Sequence, residues 1–327
     1  MRYIVTGGAG FIGSAIVGYL NQQKISNIIV VDHLDESEKW KNLVNKTYTD
    51  YLDKDEFLSK IIDGSFPLSQ EDIIIHMGAI SATTERDSNL LMHNNTKYSY
   101  TLYEHAQKAG ARLIYASSAA TYGDGSRWYH DSTQELEPLN MYGYSKYLFD
   151  QWMIRESNHF KNLKSQVVGL KFFNVYGPNE YAKGSMASVV FHAFNQIQET
   201  GQVNLFKSYH PDYADGRQQR DFIYIKDILK VIDFFIQHQD KSWIFNLGTG
   251  EARSFFDLAK NVFIALGLTE NIHYIEMPES LRAKYQYYTC AEMTNLRHIG
   301  YREKFYSLEE GVRDYVQNYL SQGFKIY

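Results

Sequence analysis

Glycines at a fixed spacing between a strand and a helix constrain this chain more than any other feature. Thr6-Gly7-Gly8-Ala9-Gly10-Phe11-Ile12-Gly13 follows the β-branched run at residues 3–5 and opens the amphipathic stretch 12–22. It satisfies both Gly-x-Gly-x-x-Gly and Gly-x-x-Gly-x-x-Gly. Glycine permits the tight turn and lets backbone approach a pyrophosphate, whose charge then faces the unpaired N–H groups and positive dipole end of the helix. The next strand-like run, residues 28–31, leads into Asp32, nineteen residues after Gly13. An acid there is placed to hold a ribose 2′-hydroxyl. A dinucleotide site with Gly7, Gly10 and Gly13 at its phosphates is therefore predicted.

The same rhythm continues. Short apolar runs at 73–76, 113–116 and 166–172 alternate with helix-like stretches at 89–109 and 145–158. Nearly all-apolar strands separated by amphipathic helices predict an α/β chain, a Rossmann-type doubly wound parallel sheet covered on both faces. Beyond Phe172 the rhythm becomes irregular, with a helix predicted at 185–198 and a polar loop at 208–219. Residues 222–225, 228–237 and 243–247 read again as β–α–β and suggest a return to the sheet. The expected division is 1–171 plus about 222–250 for a dinucleotide-binding domain, with about 172–221 plus 251–327 forming a smaller, interleaved α/β substrate-binding domain. Ser307-x-x-Glu310 signals a capping box before a final helix.

Composition narrows the function. The 327 residues hold 33 Lys plus Arg against 38 Asp plus Glu, a formal charge of −5, with no basic block to meet nucleic acid. No apolar run approaches the roughly 18 residues that suggest a membrane span. Cys290 is the lone cysteine, so no intrachain disulfide can form. With no secretory-type leader visible in the first residues, a reducing, cytoplasmic setting is expected. The 11 histidines and Cys290 show no metal-ligand spacing, and no metal site is expected.

Asp32 alone favours NAD, since a carboxylate repels a 2′-phosphate. Lys39, seven residues on, would reverse this by supplying a counter-charge, and Lys54 is a second candidate. Either can equally be a solvated surface lysine. Further along, Tyr142-Gly143-Tyr144-Ser145-Lys146 sets a phenol and an ammonium at i and i+4, one turn apart on a helix. A neighbouring cation favours phenolate, which can take a hydroxyl proton as hydride leaves. Ser118 lies just past the strand at 113–116, at the carboxyl end where open α/β sheets bind ligands, and can hydrogen-bond a reacting oxygen.

Taken together, these segments resemble the extended short-chain dehydrogenase/reductase family that works on nucleotide sugars. The resemblance covers nearly the whole chain: Ile75-His76-Met77-Gly78-Ala79, Phe172-Phe173-Asn174-Val175-Tyr176-Gly177-Pro178 and Arg220-Asp221-Phe222-Ile223-Tyr224 match its further motifs in order. The second domain would then bind the nucleotide sugar. Sugar dehydratases of the family carry an Asp-Glu pair after the serine; Ala119 and Ala120 stand here and cannot do acid/base work. That leaves reversible oxidation of a carbinol, as in an epimerase. Tyr115 to Gly123, the Tyr142–Lys146 segment and Lys183-Gly184-Ser185-Met186-Ala187-Ser188 resemble most the branch acting on C6 of ADP-linked heptose for lipopolysaccharide core.

That resemblance implies Tyr142 as one base, Lys146 as its modulator, Ser118 as hydrogen-bond partner and Lys183 as a second proton acceptor and donor. It implies NADP ahead of NAD, held by Phe11, Ile12, Asp32, His33, Lys39, Lys54, Met77, Gly78, Ala79, Ile80, Ser81, Asn94, Lys146 and Val175. Asn174, Ser185, His192, Phe206, Lys207, Ser208, Tyr209, Arg220 and Tyr285 would meet the ADP-heptose, with Ser118. A homo-oligomer is expected. His33 and Met77 depart from the family's usual Asn and Glu. The rivals are a UDP-hexose 4-epimerase, which shares the serine, tyrosine and lysine, and a non-catalytic dinucleotide sensor on the same fold.

Overall fold

The β-branched runs fold into strands buried on both faces. In the computed structural model, which describes residues 1–132, 135–282 and 285–327, these are β1 (Arg2–Thr6), β2 (Ile28–Asp32), β4 (Asp72–His76), β5 (Arg112–Ser118) and β6 (Val167–Phe172), with β3 (Asp50–Asp53) a partly exposed strand at the sheet edge. Then follow β7 (Asn174–Tyr176), β8 (Val203–Phe206), β9 (Gln219–Tyr224), β10 (Trp243–Leu247), β11 (Ala252–Ser254) and β12 (Ile272–Ile275). One seven-stranded parallel sheet runs in the order β10-β6-β5-β4-β1-β2-β3. Side chains alternate across it. Val5, Val30 and Ile75 enter one apolar core, while Ile4, Val31 and Ile74 enter the other. Helices on both faces seal these cores: α1 (Phe11–Gln22), α2 (Lys54–Ile62), α3 (Ser88–Leu91), α4 (Tyr98–Ala109), α5 (Met141–Glu156), α6 (Val189–Thr200) and α7 (Ile225–Gln237).

Strand order places the site. After β3 the chain crosses to the other side of β1 and lays down β4, so β1 and β4 flank the switch in direction where open α/β sheets bind ligands. The glycine turn leaves β1 at that point, and residues 77–81 leave β4 beside it.

The return segment departs from expectation. Residues 219–224 do not rejoin the large sheet; β9 pairs parallel with β7 and antiparallel with β11 in a separate three-stranded sheet. The chain re-enters the large sheet only at β10, along the free edge of β6. The physical reason is that β7 turns away from β6 after Phe173 and offers β9 a second edge. Helix starts also shift. Asn140 caps α5 by accepting from the Gly143 N–H, so the helix begins before Tyr142 rather than at Ser145, and Ser188 starts α6 at Val189. Beyond β11 the chain adds α8 (Phe255–Leu266), α9 (Glu279–Arg282), α10 (Thr294–His298) and α11 (Leu308–Asn318), the last with the expected Ser307–Glu310 capping box. No helix among the described residues is long and apolar enough to cross a membrane.

Candidate active site

The turn after β1 is shaped as a backbone cradle. Gly7 has φ +65°, and a Cβ there would lie 2.7 Å from the Gly78 nitrogen. A Cβ on Gly13 would run into the Gly7 carbonyl. Gly10 precedes α1 without a capping side chain, and the first turn holds no acid, so its N–H groups and dipole remain available to an anion. A dinucleotide pyrophosphate fits this cradle, because glycines at 7, 10 and 13 leave its backbone bare.

At the ribose end Asp32 is buried and already engaged. Its Oδ2 accepts from the Ala9 N–H at 2.8 Å, and its Oδ1 accepts from Lys39 Nζ and the His33 N–H, both at 2.7 Å. Lys39 therefore stands against Asp32 rather than free on the surface. The β2–β3 register sets Asp53 opposite Asp32; His33 Nδ1 lies 3.0 Å from Asp53, and Lys54 pairs with Asp55 at 3.0 Å.

Residues 77–81 are pinned at two points. Gly78 N–H donates to Thr6 Oγ1, and Ile80 N–H donates to Asn95 Oδ1 while Asn95 Nδ2 returns a bond to the Ile80 carbonyl. Between these anchors His76 bridges Thr6 Oγ1 at 2.6 Å and Ser99 Oγ at 2.9 Å. Ser99 gives its proton to the Asn95 carbonyl, so Nε2 of His76 carries the ring proton and Nδ1 accepts from Thr6. Burial and the charge of Lys146 hold this imidazole down at about 3, hence neutral. Asn95 sits in a π-helical turn, Met92–Lys97, between α3 and α4. Asn94, the asparagine expected at the cofactor, is half-buried beside it and donates to Asn95 Oδ1.

Ser118, at the end of β5, is buried and Tyr142 half-buried in the first turn of α5. They meet because α5 packs through Gly143: a Cβ there would lie 2.5 Å from the Ala120 carbonyl. Burial pushes the Tyr142 phenol up, and the Ser118 hydroxyl beside it acts in the opposite direction. Lys146 follows on the same face, but its Nζ donates to the Ala116 carbonyl at 2.8 Å, and burial lowers it to about 8. Tyr142 in this state is thus governed by burial and Ser118 rather than by the lysine expected to lower it. Such a phenol can give and take a proton at a carbinol oxygen held by Ser118.

Lys183 lies near the start of α1, its Nζ 5.5 Å from the centre of the Phe11 ring. Desolvation lowers it, against the pull of Glu180. Its loop is held by residues that sequence reasoning missed. Asn179, buried with φ +78°, donates to Ser14 on α1 and accepts at its carbonyl from Asn42, which also donates to the Ala9 carbonyl in the glycine turn. Glu180 accepts from the Ser188 hydroxyl and the Gly177 N–H. An asparagine directly after Gly177-Pro178, a residue type that tolerates positive φ, is the sequence signal for this turn.

On the substrate side Arg220 is 7% exposed and bonds only to a carbonyl, that of Gln219, among the described residues. Phe255 and Tyr285 flank its guanidinium at 5.5 and 5.1 Å. A buried cation without a carboxylate is built for an incoming anion. Asn174 and Val175 are on β7, beside Phe222 and Ile223 of the strand that carries Arg220; His192 is half-buried on α6 and Ser185 exposed in the turn Gly184–Met186. Phe206 ends β8, the Ser208 N–H donates to Asp215, and Lys207 and Tyr209 both reach Glu276. Lys207 and Tyr209 are thus committed to an exposed cluster.

Residues 3–248 match the NAD dependent epimerase/dehydratase family. A protein of Nitratidesulfovibrio vulgaris named ADP-L-glycero-D-manno-heptose-6-epimerase is 52% identical over 322 residues, 98% of either chain. One of the same name from Fusobacterium nucleatum is 48% identical over 330 residues, again 98% of either chain. The crystal structure of the Helicobacter pylori ADP-L-glycero-D-manno-heptose-6-epimerase superposes with a TM-score of 0.81 at 28% identity, covering 97% of this chain and 95% of that one.

Proposed function

This chain belongs to the NAD dependent epimerase/dehydratase family, and from that premise we propose that it inverts C6 of ADP-D-glycero-D-manno-heptose to give the ADP-L-glycero-D-manno product. One observation carries the chemistry. Tyr142 and Ser118 meet at the carboxyl edge of the sheet, and the turn beside them presents Ala119 and Ala120 in place of carboxylates. A site so built can move a proton to and from a carbinol oxygen, but it cannot protonate a departing hydroxyl.

A bound nicotinamide dinucleotide supplies the hydride acceptance and return that convert the C6 alcohol to a ketone and back. The chain supplies the rest. Ser118 holds the C6 oxygen and Tyr142 takes its proton, while Lys146, held on the Ala116 carbonyl, keeps a cation one helical turn from the phenol. After the ketone turns its other face, desolvated Lys183 gives the oxygen a proton, and exchange with solvent then removes the first proton from Tyr142 and restores that of Lys183. Arg220 receives the pyrophosphate of the ADP. Because Gly143 seats α5 on the serine turn, Gly143→Ala should lower kcat about 10- to 100-fold by displacing Tyr142 from Ser118. An unchanged kcat in the folded variant would sever that link.

The preferred cofactor is NADP, on the strength of Lys39 against Asp32, where the cation offsets the acid's repulsion of a 2′-phosphate. Lys39→Ala should weaken NADP about tenfold or more and NAD little, read as the ratio of Kd values; equal losses would remove this role. The assignment extends to a cytoplasmic homo-oligomer supplying heptose for lipopolysaccharide core, as the motif resemblance implies. Incubating the purified chain with ADP-D-glycero-D-manno-heptose, without added cofactor, and following the C6 epimer by NMR tests the reaction directly, with released nucleotide identified by mass. No conversion after adding NADP and then NAD would overturn it, and conversion of UDP-hexoses instead would move the site to C4 chemistry.

A further inference from the structure

Beneath the site lies a buried network that the proposed reaction does not use. Asp150, one turn beyond Lys146 on α5, and Lys171 on β6 are 2% and 4% exposed, with Lys171 Nζ 2.8 Å from Asp150 Oδ2. Asp150 also accepts from Ser117 Oγ at 2.6 Å and from the Tyr115 hydroxyl at 3.0 Å. From the other side Lys171 donates to Thr121 Oγ1 at 2.7 Å, and the Thr121 hydroxyl donates to the Ser118 carbonyl at 2.8 Å. Thus one carboxylate holds the residue before Ser118, and its partner cation holds the residue that fixes Ser118 itself. Gly169 makes room for this arrangement, since a Cβ there would lie 2.5 Å from the Tyr115 hydroxyl oxygen.

We propose that Asp150 and Lys171 are positioning residues for proton transfer: they lock the serine turn between α5 and β6 and keep a negative charge one turn behind Lys146, so that its ammonium stays charged. The inference rests on the reading of Ser118, Tyr142 and Lys146 as the reacting group and its partners. A fully buried ion pair is a costly way to gain stability, because desolvating two charges offsets most of their attraction. Its location explains its presence better than stability does. Among the described residues Lys146 is flanked along α5 by Tyr142 and Asp150 and is felt by neutral His76 on β4, while Tyr115 on β5 and Lys171 on β6 bond to Asp150. Of these Asp150 is the anion. Burial alone drives Lys146 down, and Asp150 opposes that fall.

The test is the titration of Lys146 by NMR in the full chain carrying lysine labelled with carbon-13 at Cε, assigned by its loss in Lys146→Met. Asp150→Asn should move the midpoint about one pH unit lower, and the alkaline limb of the kcat profile should fall with it. That variant leaves Lys171 buried without a counter-charge. Asp150→Asn/Lys171→Met removes both charges and decides the matter if the single variant does not fold, with a smaller shift expected in the same direction. An unmoved or raised midpoint in the folded variant overturns the inference. Should the wild-type chain fail to epimerise, the functional reading falls while the titration still reads the positioning role.

Discussion

Tyr142→Phe is expected to lower kcat by about three orders of magnitude while leaving dinucleotide affinity and the fold in place. The ring persists, so the packing of α5 on the serine turn through Gly143 is kept. The only loss is the hydroxyl, the group that takes the C6 proton in the proposed reaction, and general acid–base groups contribute about 10² to 10⁴ in rate. Its partner cannot replace it, because the Ser118 hydroxyl is a far weaker acid than a phenol and lacks a base to activate it. Single-turnover epimerisation followed by NMR, beside cofactor Kd values, measures both halves. Near-full turnover in the variant would sink the phenolate role and shift attention to Lys183 as the base for both epimers.

The second large effect has opposite signs for binding and stability. Arg220→Met should raise KM for the nucleotide sugar about 30- to 150-fold, corresponding to ~2 to 3 kcal/mol of charge-assisted hydrogen bonds lost to the pyrophosphate. The same change should leave Tm equal or higher. Burial lowers the Arg220 guanidinium, and it makes no ion pair among the described residues, bonding to the Gln219 carbonyl beside the rings of Phe255 and Tyr285. Replacing such a cation with an apolar side chain of similar length removes a desolvation cost and keeps the packing. Calorimetry of the apo protein and steady-state kinetics check the pair of signs. A fall in both Tm and affinity would make Arg220 a structural residue instead.

Local pattern carried much of this protein's architecture. The glycine spacing, Asp32 at the end of β2 and the uninterrupted apolar strands could be read directly, since each records a short-range requirement: bare backbone at a turn, an acid one strand away, burial on two faces. The capping box at Ser307 and Glu310 is local in the same sense. Pairing choices were not legible. The run 222–225 looks like any other strand, and nothing in it says that β7 rather than β6 will be its neighbour. Asn95 escaped because a π-turn breaks the helical period, and Asn179 because its three partners come from α1, the segment after β2, and the end of the chain.

What the sequence by itself determined is the chemistry on offer: a dinucleotide turn, a phenol and lysine one helical turn apart, a serine at a strand end, and alanines where dehydration would need acids. Tertiary structure alone decided how those groups are tuned. It turned the Lys146 ammonium onto a β5 carbonyl, set Lys39 against Asp32, left Arg220 buried without a carboxylate, and stacked Asp150 and Lys171 beneath the serine turn. The reason is physical. Residue identity and spacing fix which proton or hydride transfers are available, whereas the charge state of each group depends on burial and on partners from distant strands, which exist only once the sheet has assembled.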